Sequence, residues 1–156
     1  MILKIYTVIH VIISLLGILS GFVVMAGMLS ADPMDGWTKF FLITTIATSV
    51  TGFFFPAKHV TPAHIVGVIS MVILALAVYA KYPGQLAGSW RWIYVATAVA
   101  AQYFNVFVLV VQMFQKIPSL KVLAPTQKER PFQLAQGGVL VVFVVWGLVA
   151  GLKFHP

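Results

Sequence analysis

Five long apolar runs, none with a polar face, constrain this chain more than any other feature: about 5–29, 38–55, 62–80, 92–114 and 132–153. A helix on the surface of a soluble protein repeats polar side chains on one face, and these runs have no such stripe. The first, Ile5 to Leu29, holds 25 residues, which as a helix measures about 37 Å and crosses a bilayer with some tilt. Only 8% of the residues are charged, against roughly a quarter in soluble domains. The expectation is an all-α polytopic transmembrane helical bundle of five spans. One domain, 1–156, accounts for the chain, because the longest polar connector is only Gln115 to Phe132.

The first run reads as a retained span. A signal peptide has an apolar region of only about 7–15 residues and small residues flanking its cleavage site, whereas bulky Leu29 stands two positions before Ala31.

The net charge of +7 would point to nucleic acid in a soluble protein. Here the basic residues stand at the ends of apolar runs, where they meet lipid headgroups, so no nucleic-acid partner is expected. Cysteine is absent, which removes disulfide, thiolate and Cys-ligated metal chemistry. No catalytic nucleophile motif is present.

With five spans the termini lie on opposite sides. Lys4, Lys58, Lys116, Lys121, Lys128 and Arg130 then share one side, and Lys39, Lys81, Arg91 and Lys153 the other. Lys and Arg excess marks the cytoplasmic face, which gives a cytoplasmic N-terminus. Trp37, Trp90 and Trp92 read as interfacial anchors, and Lys81 begins a turn-rich connector.

Two packing motifs stand out. Gly17-Ile18-Leu19-Ser20-Gly21 and Gly147-Leu148-Val149-Ala150-Gly151 are both GxxxG, a spacing that lets helix backbones approach closely. Their matched depth predicts parallel packing of spans 1 and 5, with homo-oligomer contact as the rival use.

One stretch alone packs charge, two prolines and two histidines between long apolar runs: Phe53-Phe54-Phe55-Pro56-Ala57-Lys58-His59-Val60-Thr61-Pro62-Ala63-His64. Thr61 is placed to cap the third span and Pro62 to start it, since proline's missing N–H needs no partner there. His10, His59, His64, Gln112, Gln133 and Gln136 all fall on the cytoplasmic leaflet. Polar groups inside spans face the bundle interior or a cavity, so these six are the candidate cofactor-binding set. Haem b held by His10 and His64, or a quinone bonded by a histidine and by Gln133 or Tyr103, are the cofactors such a pocket could hold. Zinc or iron transport is less attractive, because Glu129 is the only carboxylate on that side. The plainer reading makes His59 a solvated interfacial residue, His64 a helix-start residue and His10 a structural hydrogen bonder.

Four segments carry a resemblance: Phe55-Pro56-Ala57-Lys58-His59-Val60-Thr61-Pro62-Ala63-His64-Ile65-Val66-Gly67, Gly88-Ser89-Trp90-Arg91-Trp92-Ile93-Tyr94, Asn105-Val106-Phe107-Val108-Leu109-Val110-Val111-Gln112 and Leu123-Ala124-Pro125-Thr126-Gln127. In these the chain resembles a group of small, uncharacterised bacterial inner-membrane proteins, over nearly its whole length. The resemblance implies a bacterial inner-membrane address and brings no functional residue with it.

Three functions remain in view. Small size, packing motifs and the lack of a nucleophile favour a non-enzymatic accessory subunit of a larger membrane complex, with lipids and other membrane subunits or a second copy as partners. A haem- or quinone-binding redox protein is the alternative. Small-solute transport is weakened by the absence of charged residues within the spans and of an inverted repeat.

Overall fold

The computed structural model describes residues Met1–Pro156 and is all-helical. Its six helices are α1 (Ile2–Leu29), α2 (Asp35–Phe53), α3 (Pro62–Lys81), α4 (Ser89–Lys116), α5 (Pro118–Leu123) and α6 (Arg130–Lys153). Four of them, α1, α3, α4 and α6, are long and apolar enough to cross a membrane.

α2 has 19 residues and stands apart because of its threonines. Thr44 donates to Phe40 O (2.8 Å), Thr48 to Thr44 O (2.8 Å) and Thr51 to Ala47 O (2.7 Å). Each hydroxyl is thus satisfied one turn back on its own helix, which lowers the cost of placing it among helices or lipid.

Helices α1 to α4 form a ring in which each packs on the next and α4 returns to α1; α6 lies over the seam between α1 and α4. Trp146 ties α6 down by donating from its indole to Met25 O (3.2 Å). The sixteen-residue buried cluster, with Met25, Met28, Phe41, Leu74 and Tyr94 at its heart, occupies one end of this ring. It uses the last turns of α1 and α3, the first turns of α2, the first half of α4, and Phe143, Ala150 and Phe154 from α6 and its end. Ala77, Ala80, Ala98 and Ala101 are buried there, and such small side chains let helices approach closely.

The GxxxG glycines do not meet one another. A Cβ on Gly17 would lie 3.3 Å from Thr45 Oγ1 on α2, and one on Gly21 would run into the side-chain amide of Gln102 on α4. Gly147 faces Val99 (3.4 Å) and Gly151 the ring of Trp92, both on α4. Spans 1 and 5 do pack on each other, through Trp146 on Met25 O and Phe22 against Phe143 and Trp146, but not through these motifs, whose glycines admit side chains of α4 and α2. The reason lies in the partner surfaces: Gly21 makes room for an amide and Gly151 for an indole, which another glycine groove would not fill.

Lys81 also departs from expectation. It is the last residue of α3, its side chain is 6% exposed, and its ammonium pairs with Asp35 at 2.9 Å. It lies 5.6 Å from the Tyr94 ring centroid, so the aliphatic stem is packed and the charge is held by a carboxylate and an aromatic face. At the same end Arg91 donates to Gly151 O (2.8 Å) and Phe154 O (2.9 Å), clamping the end of α6.

The connector after α4 is ordered. α5 begins at Pro118 and ends at Leu123, and Ala124 is fully buried. Beyond it Thr126 donates its backbone N–H and its hydroxyl to the Glu129 carboxylate.

Candidate functional site

At the end of the ring opposite the buried cluster the helices enclose a cavity of about 570 Å³, a size typical of small-molecule sites. On α1 the lining runs from Thr7 to Ile18 and on α4 from Phe104 to Lys116, so at 1.5 Å per residue the cavity is about 16 Å deep. The α2 wall holds Thr48, Ser49, Gly52 and Phe53; the α3 wall holds His64, Val66, Gly67 and Ser70. No aspartate or glutamate lines it.

His10 is half-buried on α1. Its Nδ1 lies 2.7 Å from Thr51 Oγ1, and that hydroxyl is itself 2.7 Å from Ala47 O. A carbonyl can only accept, so the Thr51 hydrogen is directed to Ala47 and its oxygen accepts from His10 Nδ1–H. In the neutral ring Nε2 is then bare. Phe55 holds the imidazole from the side, edge-to-face at 5.0 Å.

His64 has the opposite arrangement. It is the third residue of α3, after the cap Thr61 and Pro62. Its Nδ1 accepts the backbone N–H of Thr61 at 3.0 Å and lies 2.8 Å from the Thr61 hydroxyl. This is a capping box in which imidazole does the work usually done by Glu or Gln. An accepting Nδ1 places the proton on Nε2 in the neutral ring. Phe53 stacks against His64 at 6.2 Å and reaches that place across Gly67, where a Cβ would lie 2.8 Å from Phe53 Cζ.

The two imidazoles on the cavity wall therefore differ in kind: His10 offers an acceptor and His64 a donor. Gln112 and Lys116 complete the polar set, four residues apart on α4, and so on one face of it. Neither makes a side-chain hydrogen bond or an ion pair within the chain; the single salt bridge of the molecule is Lys81 with Asp35. At the inner end Asn105 lines the cavity and donates to Thr45 Oγ1 and to Gln102 Oε1, both at 3.3 Å.

Of the six residues expected to converge, His10, His64 and Gln112 line one cavity and three do not. His59 is exposed on the loop before α3. Gln133 is exposed and donates to Lys128 O (2.9 Å), closing the turn into α6. Gln136 is 8% exposed and donates to Phe107 O (3.1 Å). These last two belong to α6, which packs outside the four-helix ring, so their leaflet does not bring them to its interior. Tyr103 lies against Phe104, Phe107 and Phe143, on the α6 side of α4.

Sequence reading missed Lys116, Asn105, Thr48, Ser49 and Ser70 as lining residues. A signal existed for α4: Asn105, Gln112 and Lys116 are spaced seven and four apart, one stripe of a helix.

Comparison of the chain with family models, curated proteins and solved structures finds no match.

The donor set does not fit axial haem ligation by His10 and His64. Iron takes a bare ring nitrogen; His10 Nε2 is one, but the bare nitrogen of His64 is Nδ1, which already closes the α3 cap. No group of three or more His, Asp or Glu that could hold a metal ion is present.

Proposed function

We propose that this chain is an integral membrane protein of five spans whose cavity binds a small amphipathic molecule by its polar head. The supporting observation is the cavity itself: about 570 Å³, lined by apolar side chains together with hydroxyls and amides, with His10 and His64 both on its wall.

In this reading α2 crosses the membrane with the others. It packs on both α1 and α3 in the ring, and a helix so placed between two spans shares their depth. The N-terminus, the loop before α3 and the loop holding α5 are then cytoplasmic, where Lys4, Lys58, Lys116, Lys121, Lys128 and Arg130 gather, and the membrane is the bacterial inner membrane. Reporter fusions within Lys58–Val60 and Thr126–Lys128 should read as cytoplasmic, and fusions within Gly84–Ala87 and after Pro156 as external. The five-span topology is abandoned if fusions within Ala31–Pro33 and within Lys58–Val60, which flank α2, report the same side.

Ligand binding is tested by extracting purified protein and identifying retained amphiphiles by chromatography and mass spectrometry. A Cβ on Gly52 would lie 3.7 Å from His10 Cε1, in ordinary contact, so Gly52→Leu places its extra atoms in the cavity. It should abolish retention while the fold persists. Equal retention by both proteins would mean that the amphiphile sits on the outer surface.

The accessory-subunit role remains compatible, because apolar rows on α3 and α6 are exposed, among them Val68, Val72, Val141, Val145 and Leu148. Lipid covers such rows as well as a partner helix does, so the cavity carries more weight.

A further inference from the structure

We propose that the ligand head is a carboxyl group, so that the cavity selects single-chain carboxylic acids such as fatty acids. This rests on the reading of the cavity as an amphiphile site and adds the chemistry of its head. Three observations carry it.

The first is the opposed pair of imidazoles. A carboxylic acid is the simplest head that has one O–H to give and one C=O to receive. Its hydroxyl donates to His10 Nε2, and its carbonyl accepts from His64 Nε2–H. If the ligand arrives as a carboxylate, one proton taken from water lies between its oxygen and His10 Nε2, and the bound composition is the same. A quinone fits less well, since both of its carbonyls only accept and one would face the bare nitrogen of His10.

The second is charge. Lys116 lines the mouth without an acidic partner, Gln112 stands one turn away with its amide free, and no carboxylate lines the wall. An ammonium and an amide beside an acid head add donors to its oxygens, and charge-assisted bonds are the stronger kind. A cationic head would find no counter-ion.

The third is the direction of the polarity. His64 sits in the first turn of α3, and Thr7 and Lys116 mark the open end, whereas Leu15, Ile18, Val66 and Val108 line the interior beside Ser14, Thr48 and Asn105, whose polar groups are already bonded within the chain. The head therefore lies at the headgroup level and an unbranched chain extends into the ring. The cavity's depth of about 16 Å admits a chain of medium length.

The test uses the full chain in zwitterionic lipid nanodiscs and a diazirine-bearing laurate as probe, with cross-linked peptides identified by mass spectrometry. Saturable labelling of peptides within Thr7–Ile18 and Phe104–Lys116, competed by unlabelled laurate and at least tenfold less well by dodecanol, is the expected result. Lys116→Gln should weaken laurate by about tenfold, which corresponds to about 1.4 kcal/mol, and leave dodecanol unchanged. Lys116 is exposed at the mouth, so this variant keeps the fold; His10→Phe should weaken laurate and dodecanol alike, because the hydroxyl of either donates to Nε2, and laurate binding unchanged in His10→Phe would overturn the placement of the head. Equal competition by laurate and dodecanol at the same peptides would overturn the carboxyl head while leaving the cavity as an amphiphile site. Absence of saturable labelling in those peptides, or competition by anionic phospholipid alone, would overturn both readings.

Discussion

Gly21 packs on Gln102 as closely as Gly151 packs on Trp92, and Gly21→Ala should expose the cost of that contact. Gln102 is 0% exposed, and its Nε2 donates to Ile18 O at 2.7 Å. A Cβ at residue 21 would lie 2.8 Å from that same Nε2, with Oε1 and Cδ nearer still. The amide must move, yet no solvent or open space receives it. Two losses follow. The interhelical bond contributes about 0.6–1.7 kcal/mol in membrane proteins, and forcing one extra carbon into a packed site costs about 1–3 kcal/mol. Gly21→Ala should therefore destabilise by about 2–4 kcal/mol, and Gln102→Ala alone by about 1–2 kcal/mol through the lost bond and the space left. In the double variant the new methyl enters the volume the amide has left. Its cost should stay near about 1–2 kcal/mol, well below the sum, a coupling of about 2 kcal/mol or more between contacting residues. Reversible unfolding in mixed micelles measures all four corners of the cycle. Additive effects within about 0.5 kcal/mol would show that Gly21 is not there to admit Gln102.

The Lys81–Asp35 pair should respond asymmetrically, because the lysine side chain is 6% exposed and the aspartate 79%. Asp35→Asn leaves a buried ammonium without its counter-ion and should cost about 1–2 kcal/mol, while Lys81→Met leaves only a solvated carboxylate and should stay within about 1 kcal/mol of the parent; thermal unfolding decides, and the reverse order refutes the burial argument. Arg91→Ala should release the last turn of α6, read as faster hydrogen exchange in Ala150–Phe154 with protection elsewhere unchanged, since both of its bonds end on Gly151 O and Phe154 O. Hydrogen bonding by Thr126 holds the Glu129 carboxyl below the ordinary carboxylate range. A depressed folded-state value means this contribution is present above the unfolded value and is lost as pH falls through the folded one, so Thr126 amide protection should collapse only in acid and should be insensitive to pH in Glu129→Gln.

The helices were legible because the apolar runs are long and uninterrupted, and four of them are long and apolar enough to cross a membrane. A backbone in a bilayer must satisfy its own polar groups, and uninterrupted apolar runs of this length have one way to do so. The expected starts and ends lie close to those observed, with 62–80 against Pro62–Lys81 as the nearest agreement, since Thr61 and Pro62 are local signals that need no tertiary partner. α5 was not legible, because six residues between prolines fall below the length at which periodicity speaks. Nor was the role of Lys81, since a terminal lysine looks the same whether it reaches lipid headgroups or a carboxylate on the next helix.

The candidate site divides along the same line. His10, His64 and Gln112 could be assigned to one leaflet from helix rise alone, but leaflet is a depth and a cavity also needs an azimuth. Gln133 and Gln136 share that depth and miss the cavity, because α6 lies outside the ring. Which helices close the ring depends on small-residue contacts such as Gly21 on Gln102 and Gly151 on Trp92, whose partners lie on a distant part of the chain.

The sequence by itself determined the long apolar helices, their order along the chain and the cap that starts α3. These follow from local backbone chemistry and from transfer into lipid, which act on each segment alone. Only the tertiary structure decided that the alanine-rich end of the bundle packs shut while the other stays open, and that His10 meets Thr51, whereas the Thr61–His64 contact spans three residues and is local. Both outcomes depend on partners that helix packing brings together: the tautomer of His10, on α1, is set by a threonine of α2, and neither segment carries that information alone.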